Sequence, residues 1–313
     1  MLKHLTAPRL STLQRFFLTT SQTDTLGCYA WNQAVAAGML PLLADVEVSL
    51  RNALHGALSR YYGAVDSFGW MMPRANPAHA INPAAPMLLP PIHKLSSRSR
   101  DDVVCAMDKV SGRKPAAHVV TPDDVVAALP LGFWEVLIGA LAHHAQPRGL
   151  QAHILAAVFP HAPDTALFPY DSPAFRKRVV VLLKRLRDVR NRIGHHDAIW
   201  TIPEFDRFGT LGLIPRRPRH TVNSLRRLVD NLVWFAGWID PAISVHLRNS
   251  DHCWSLQALL DRHALATYRR WGGRAGTLHL VLDRAATQNH RMEMRNRMLA
   301  PPSAARSIAR YFY

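Results

Sequence analysis

A heptapeptide of basic and polar residues, at 190–196 (RNRIGHH), carries the side chains of this chain that are best suited to chemistry. It places an arginine, an amide and two histidines within one helical turn and its exit: Arg190, Asn191, His195 and His196. A fixed guanidinium cation can hold a phosphate, and an imidazole can take up or release a proton near neutral pH. Together these groups could cleave a phosphodiester without a metal ion.

Two interpretations of this heptapeptide are open on the residues alone. In the structural interpretation it is a helix C-terminus, whose Arg, Asn and His side chains cap backbone carbonyls and pair with acids such as Asp197. In the functional interpretation the same side chains bind and act on a phosphate.

A strongly amphipathic helix must position the heptapeptide. Ser172 is a typical N-cap, Pro173 a typical first helical residue, and Gly194 is expected to end the helix. Arg190 lies about 45° from the centre of the apolar stripe, at its edge, so it can be partly buried and aimed. The stripe consists of Phe175, Val179, Leu182, Leu186, Val189 and Ile193. The basic residues outside it are interpreted as a solvated face that would also attract a nucleic acid: Arg176, Lys177, Lys184, Arg185 and Arg187.

A second polar cluster lies on an earlier helical segment, at residues 25–62. Gly38 and Pro41 interrupt this segment, which predicts two helices that meet at the break. The cluster follows the break and consists of Glu47, Arg51, Asn52 and His55. Three of its members recur every four residues, so their side chains can touch one another. From the residues alone, the favoured interpretation is a half-buried ion pair that pins one helix.

Helical patterns cover the rest of the chain, and no strand is predicted. Further helices are predicted at 99–112, from Thr121 and Pro122 to Ala128, at 133–141 and at 225–239, with a proline-rich loop at 67–91. From Arg248 onward the chain has eleven arginines, four acidic residues and no lysine. We therefore expect an all-α domain at 1–245, followed by an arginine-rich helical extension at 246–313.

Composition indicates a globular protein with a polyanionic partner. The 313 residues are 48% hydrophobic and 19% charged, which is too apolar for a disordered chain. Lysine and arginine number 38 against 22 acidic residues, a formal net charge of +16. The excess is mostly arginine, which suits bidentate contacts with the phosphates of RNA, DNA or an anionic membrane.

Cysteine usage and apolar segments indicate a cytoplasmic protein. The three cysteines, Cys28, Cys105 and Cys253, are far apart and indicate neither a disulfide framework nor a metal site. The N-terminus has no signal-peptide pattern, and the apolar stretch at 129–142 contains Glu135 and is too short to span a bilayer. We therefore predict a soluble protein with no membrane partner. The sequence also lacks the phosphate-binding loop, the zinc-protease motif and the hydrolase nucleophile elbow.

The spacing of Arg190 and His195 resembles the R-x(4–6)-H signature of HEPN domains, with Asn191 at the polar position that often follows the arginine. Earlier residues are similar, in order and spacing, to the landmarks of the Abi-like abortive-infection family. The resemblance covers about residues 25–245. Its landmarks are YAWN at 29–32, PLL at 41–43 leading to EVSLRNALH at 47–55, 121–122 to 132–134, and 189–200.

This resemblance implies an all-α fold that contains a HEPN four-helix bundle. It implies a metal-independent endoribonuclease, without a cofactor, in bacterial phage defence or in a toxin–antitoxin pair. The partners it implies are RNA, a second copy of the chain that completes a composite site, and a cognate antitoxin protein or small RNA. The alternatives are a non-catalytic RNA-binding module and a protein-interaction module of a defence system.

The mechanism that the resemblance implies is attack by the RNA 2′-hydroxyl on the adjacent phosphate. His195 would act as acid or base, Arg190 would stabilise the phosphoryl charge, and Asn191 would orient Arg190 or the phosphate. His196 would support or replace His195. The resemblance implies that four residues of the earlier landmark helix brace the catalytic helix or contact RNA: Glu47, Arg51, Asn52 and His55.

Overall fold

Twelve α-helices and one 3-10 turn make up the regular structure of the part of the chain that the computed structural model describes, residues 4–62, 65–66, 68–71, 97–115, 117–144 and 146–299. Within those ranges the only extended pairing is an isolated bridge between Phe205 and Leu211, so the predicted all-α class is confirmed. Most of the proline-rich segment lies outside the described residues. The helices are α1 (Ala7–Phe17), α2 (Gln22–Tyr61), α3 (Ser97–Arg113), α4 (Pro122–Ala128), α5 (Leu131–Ala140), α6 (Leu150–Val158), α7 (Pro173–Gly194), α8 (Pro218–Ile239), α9 (Pro241–Asn249), α10 (Asp251–Leu259), α11 (Arg262–Trp271) and α12 (Thr277–Leu299), with the 3-10 turn at Ile199–Thr201.

Helix α2 runs without interruption for 40 residues, so the predicted break into two helices is wrong. Proline removes one backbone hydrogen bond and crowds the preceding turn, at a cost of about 3 kcal/mol. The side chains around Pro41 are nevertheless fully or almost fully buried: Met39, Leu42 and Leu43. Their burial on both sides of the proline offsets the lost hydrogen bond and keeps the helix continuous.

Helix α2 packs against much of the fold, including α10 and α11, which follow residue 246, and α12 packs in turn on α10 and α11. The Trp31 indole Nε1 of α2 donates to the Leu259 carbonyl oxygen of α10 at 2.9 Å. Gly27 lies against α11, where a Cβ atom would stand only 2.7 Å from the Arg269 Cα. Glycine at this position therefore lets two helix backbones approach closely. The buried residues Leu256 and Tyr268 extend the same core, while the boundary at 245/246 stays a prediction.

Helix α2 is also, within the described ranges, the one helix with the length and composition to cross a membrane. The sequence did not indicate a segment of this length, because a break at Gly38 and Pro41 was predicted. Seventeen of its residues are buried against other parts of the protein, as in the core helix of a globular fold. This packing supports a core role for α2.

An ion pair joins the start of α2 to α11 at the edge of the core. The Arg269 guanidinium donates from Nε and Nη2 to the two carboxylate oxygens of Asp24, at 2.6 and 2.8 Å. Arg269 holds the pKa of the Asp24 carboxyl below its ordinary value. Next to the pair, burial raises the pKa of the Cys28 thiol to about 12, so this cysteine stays protonated.

We expect Asp24→Asn to lower stability at neutral pH and to have less effect in acid. Because the folded pKa of Asp24 lies below the unfolded one, its contribution is complete above the unfolded value, near 3.8, and is lost as pH falls through the folded value. Urea denaturation at pH 7 and at pH 3 should therefore show a wild-type advantage that shrinks in acid. Asp45→Asn is the matched control on α2, since Asp45 has no hydrogen bond or ion pair with a described residue. An Asp24→Asn deficit that is equal at both pH values would contradict the assignment.

Candidate active site

Helix α7 presents the heptapeptide, and its start and buried face agree with the sequence. The Ser172 hydroxyl caps the helix by accepting from the Phe175 backbone N–H at 3.1 Å. All six residues of the predicted apolar stripe are buried. The stripe packs α7 mainly on α5 and α2, which fixes the direction in which the heptapeptide leaves the core.

The heptapeptide ends α7 in a Schellman motif. The Asp197 N–H donates to the Arg192 carbonyl oxygen at 2.8 Å, and the His196 N–H donates to the Ile193 carbonyl oxygen at 3.0 Å. The left-handed residue of this motif is His196, with φ of 53°. Gly194 is the last helical residue, so the prediction that it terminates the helix is one residue early. Glycine is the usual occupant of the left-handed position, which is why the sequence pointed to Gly194.

We expect His196→Gly to stabilise the fold by up to about 1 kcal/mol, because glycine adopts the left-handed conformation without the steric cost of a Cβ. Urea denaturation measures the effect. His195→Gly is the matched control: His195 has φ of −90°, where glycine gains nothing and loses more backbone entropy on folding. A lower stability for His196→Gly than for His195→Gly would contradict the strain assigned to His196.

The segment after the heptapeptide is tied to three helices. Arg192 donates from Nη1 to the Ala198 carbonyl oxygen at 3.1 Å and to the Thr201 hydroxyl at 3.3 Å. The Asn32 amide oxygen of α2 accepts from the Ile199 N–H at 3.3 Å. Thr221 of α8 donates its hydroxyl to the Trp200 carbonyl oxygen at 2.9 Å. These bonds give the heptapeptide a fixed exit. The bracing roles of Asn32 and Arg192 were not predicted from the sequence, although both residues lie in segments that resemble the Abi-like family.

Five of the six arginines of α7 are engaged by other residues. The prediction of a solvated face is therefore wrong for Arg176, Arg185 and Arg187. It is right for Lys177 and Lys184, which are exposed. The partners are the Gln151 Oε1 atom for Arg176 (2.6 Å), the Gly209 carbonyl oxygen for Arg185 (3.0 Å) and the Glu135 carboxylate for Arg187 (2.7 Å). Arg178, missed at the level of sequence, is buried and pairs with Asp164 at 3.5 Å.

Arg190 is the exception among these arginines. Its side chain is exposed and has no hydrogen bond or ion pair with any described residue. The same holds for the side chains of His195 and His196, which are exposed, and of the half-buried Asn191. Asp197 accepts from the Ala198 N–H at 2.7 Å and forms no ion pair with the heptapeptide. The capping interpretation therefore fits Arg192 and leaves Arg190 and the two imidazoles free.

The polar cluster of α2 is dispersed by the fold. No hydrogen bond or ion pair joins Glu47, Arg51 and His55, so the mutual contacts that their spacing allows do not form. Arg51 donates instead to the Ala127 carbonyl oxygen at 3.4 Å, and Asn52 is exposed.

His55 is a core residue. Its imidazole is 3% exposed, and its Nδ1 accepts from the Trp70 indole Nε1 at 2.9 Å. Burial lowers the pKa of this imidazole, which favours the neutral form that accepts the indole proton. The position of His55 fits a bracing role and is closed to a surface-bound RNA.

Glu47 is the member of the cluster that lies beside the heptapeptide. It lines a shallow groove between α2, α5 and α7, together with Arg190. The other lining residues are apolar: Leu43, Val46, Leu50, Leu131, Leu183 and Leu186. The groove is thus apolar with one carboxylate and one guanidinium on it, and we call it the α2–α7 groove.

The chain is thus an all-α protein in which one guanidinium, without a partner among the described residues, and two imidazoles are exposed at a hydrogen-bonded helix end. Comparisons with protein-family models, with curated proteins and with solved structures give no match to this chain. The HEPN type of the bundle therefore stays a prediction, which rests on the resemblance of the sequence segments named above.

Proposed function

We propose that this protein is a metal-independent endoribonuclease whose site consists of Arg190, Asn191, His195 and His196. One observation carries the proposal: Arg190 is the single α7 arginine without a partner in the described residues, on a helix end that Arg192 and the following segment hold rigid. A structural arginine would be paired, as its five neighbours are. A free cation next to exposed imidazoles suits a phosphate ligand.

The chemistry proposed for this site needs few protein groups. An RNA substrate supplies its own nucleophile, so the protein has to position the phosphate, move a proton and stabilise charge. His195 takes the proton from the 2′-hydroxyl or gives one to the departing 5′-oxygen, and Arg190 stabilises the negative phosphoryl oxygens. The products are a 2′,3′-cyclic phosphate and a 5′-hydroxyl. The family resemblance places this activity in the bacterial cytoplasm, in phage defence or in a toxin–antitoxin pair.

A second copy of the chain is the partner that the α2–α7 groove supports. Under a two-fold axis the same face meets itself, so Glu47 of each copy can approach Arg190 of the other. The apolar residues between them would be removed from water, which favours association. Such a dimer would bring two copies of the heptapeptide to one interface, as a composite site requires. A strictly monomeric protein in solution would contradict this part of the proposal.

We expect the purified chain to cleave total RNA in the presence of excess EDTA and to leave 2′,3′-cyclic phosphate ends. The reason is that neither the proposed nucleophile nor the proposed acid and base is metal-bound. Gel electrophoresis with end-group labelling measures both properties, on protein freed of copurifying RNA and protein inhibitors. Cleavage that stops in EDTA, or that leaves 5′-phosphate ends, would contradict the mechanism.

An RNA-binding module without catalysis is the second candidate. It is favoured by the exposed arginines of α11, α12 and the loop between them that have no ion pair with a described residue: Arg262, Arg270, Arg274, Arg284 and Arg291. This candidate requires salt-sensitive RNA binding. It also requires that binding is unchanged when His195 is replaced and that no RNA is cut.

A further inference from the structure

An open cleft of about 190 Å³ lies between α10, α11 and α12, with Arg226 of α8 at its edge. It shares no residue with the candidate active site. Its volume is below the roughly 300–1,000 Å³ of sites that hold a drug-sized ligand, so the cleft suits a single planar group. We call it the C-terminal cleft, defined by Trp254, Gln257, Thr267, Arg284, Gln288 and Asn289.

The inner part of the C-terminal cleft is apolar. Ala264 and Val281 are 3% and 5% exposed and line it, and the half-buried Trp254 contributes an aromatic surface. A flat heterocycle gains from contact with apolar and aromatic side chains, and stacking of a base on an aromatic ring contributes about 1–3 kcal/mol. The inner surface therefore suits a planar ring.

The rim of the cleft carries three exposed amides, on Gln257, Gln288 and Asn289. An amide offers an acceptor oxygen and two donor protons, which match the edge of a nucleobase. Gln288 and Asn289 make no hydrogen bond with a described residue, and the Gln257 amide has only a 3.6 Å contact with the Cys253 sulfur. These amides are thus free to bind a ligand.

The charge at the rim suits a phosphate. Arg284 is exposed and has no ion pair with a described residue. Arg226 stands 3.6 Å from Asp261, whose carboxylate also accepts from the His263 N–H at 2.7 Å. The local excess of guanidinium groups over carboxylates favours an anion beside the planar ring.

We propose that the C-terminal cleft binds one unstacked nucleobase together with its phosphate, and that it thereby sets the base preference of the RNA substrate. This inference rests on the proposed function for its substrate. A free nucleotide offers the same chemistry as a nucleotide within an RNA chain, and the experiment separates the two sources.

The test measures binding and does not depend on cleavage. Full-length protein is titrated with 2′-O-methyl hexanucleotides of each base, which lack the attacking hydroxyl, and separately with the four nucleoside 5′-monophosphates. We expect one base to be preferred. Gln288→Leu should weaken its binding about tenfold and flatten the preference, because an amide contact to a base edge is lost. Arg284→Gln should weaken all bases alike, as expected of a phosphate contact.

Arg291→Gln is the matched control, because it removes the same charge from an exposed position of α12 outside the cleft. Oligonucleotides that bind much more tightly than monophosphates identify RNA as the ligand and support the proposal. Equal affinities identify a free nucleotide, which supports a nucleotide site in the cleft but overturns its role in the base preference for RNA. Gln288→Leu and Arg284→Gln affinities that match Arg291→Gln overturn the cleft proposal. If the protein cuts RNA but these variants change neither its affinity nor its base preference, the cleft proposal is overturned and the nuclease proposal is not. If the protein binds RNA base-selectively but cuts none, the cleft proposal is supported and only the nuclease proposal is overturned.

Discussion

His195→Ala is expected to reduce RNA cleavage by roughly 10²–10⁴-fold, the usual contribution of a positioned general acid or base. The fold should be unaffected, because the His195 side chain is exposed and has no partner among the described residues. The melting temperature should therefore match that of the wild type. Initial rates of cleavage of a fluorescent RNA, measured in EDTA, report the activity.

His252→Ala is the matched control for this loss, since His252 is an exposed histidine of α10 outside the heptapeptide. Arg190→Ala should show a comparable loss of rate. Arg190→Lys should restore only part of the rate, because an ammonium cannot form the bidentate contact of a guanidinium. Equal cleavage by the wild type and His195→Ala would remove the heptapeptide from the mechanism.

Arg178→Ala is expected to lower the free energy of unfolding by about 3–5 kcal/mol, the usual cost of breaking a buried charged pair. Arg178 is 4% exposed, and burial lowers the pKa of its guanidinium. It donates from Nε to the Arg207 carbonyl oxygen at 3.0 Å and lies 3.5 Å from the Asp164 carboxylate. Four rings surround its guanidinium carbon at 4.7–5.8 Å: Trp238, Phe208, Phe168 and Trp234. Alanine would therefore leave a cavity and a free carbonyl, and Asp164 would keep only its longer ion pair with Arg207, at 4.0 Å.

Urea denaturation at pH 7 measures the effect of this change. Arg185→Ala is the control on the same helix: Arg185 is part-buried and donates one hydrogen bond, to the Gly209 carbonyl oxygen, so a loss of about 1 kcal/mol is expected. Arg178→Met should recover part of the stability, because its side chain refills the aromatic cage without leaving a cavity. An Arg178→Ala variant as stable as Arg185→Ala would show that the cage contributes little.

Local patterns predicted α2, α3, α4, α5, α7 and α8 because their signals act over a few residues. Helices α1 and α6 were not predicted, and α8 begins at Pro218, before the predicted start at 225. The cap at Thr121 is present as a capping box with Asp124, and Ser172 caps α7 as predicted. The apolar residues Phe133, Trp134, Leu137 and Leu141 are buried, as their spacing indicates. Two of the errors, at Pro41 and Gly194, lie at positions where a local rule conflicts with tertiary packing. Burial around Pro41 overrides its tendency to break a helix, and the Schellman bonds place a histidine where glycine is usual.

The candidate site divides in the same way. Periodicity, capping and composition depend on neighbours in the chain, so they predict the all-α class, the start and buried face of α7, the basic charge and the residue types of the heptapeptide. Which basic residues stay free depends on contacts between helices. The tertiary structure paired Arg176, Arg185 and Arg187, buried Arg178 and His55, and left Arg190 and His195 exposed. The partners of the α7 arginines and of the segment after α7, such as Glu135, Gly209 and Asn32, are distant in the chain. Helical spacing therefore cannot predict these contacts.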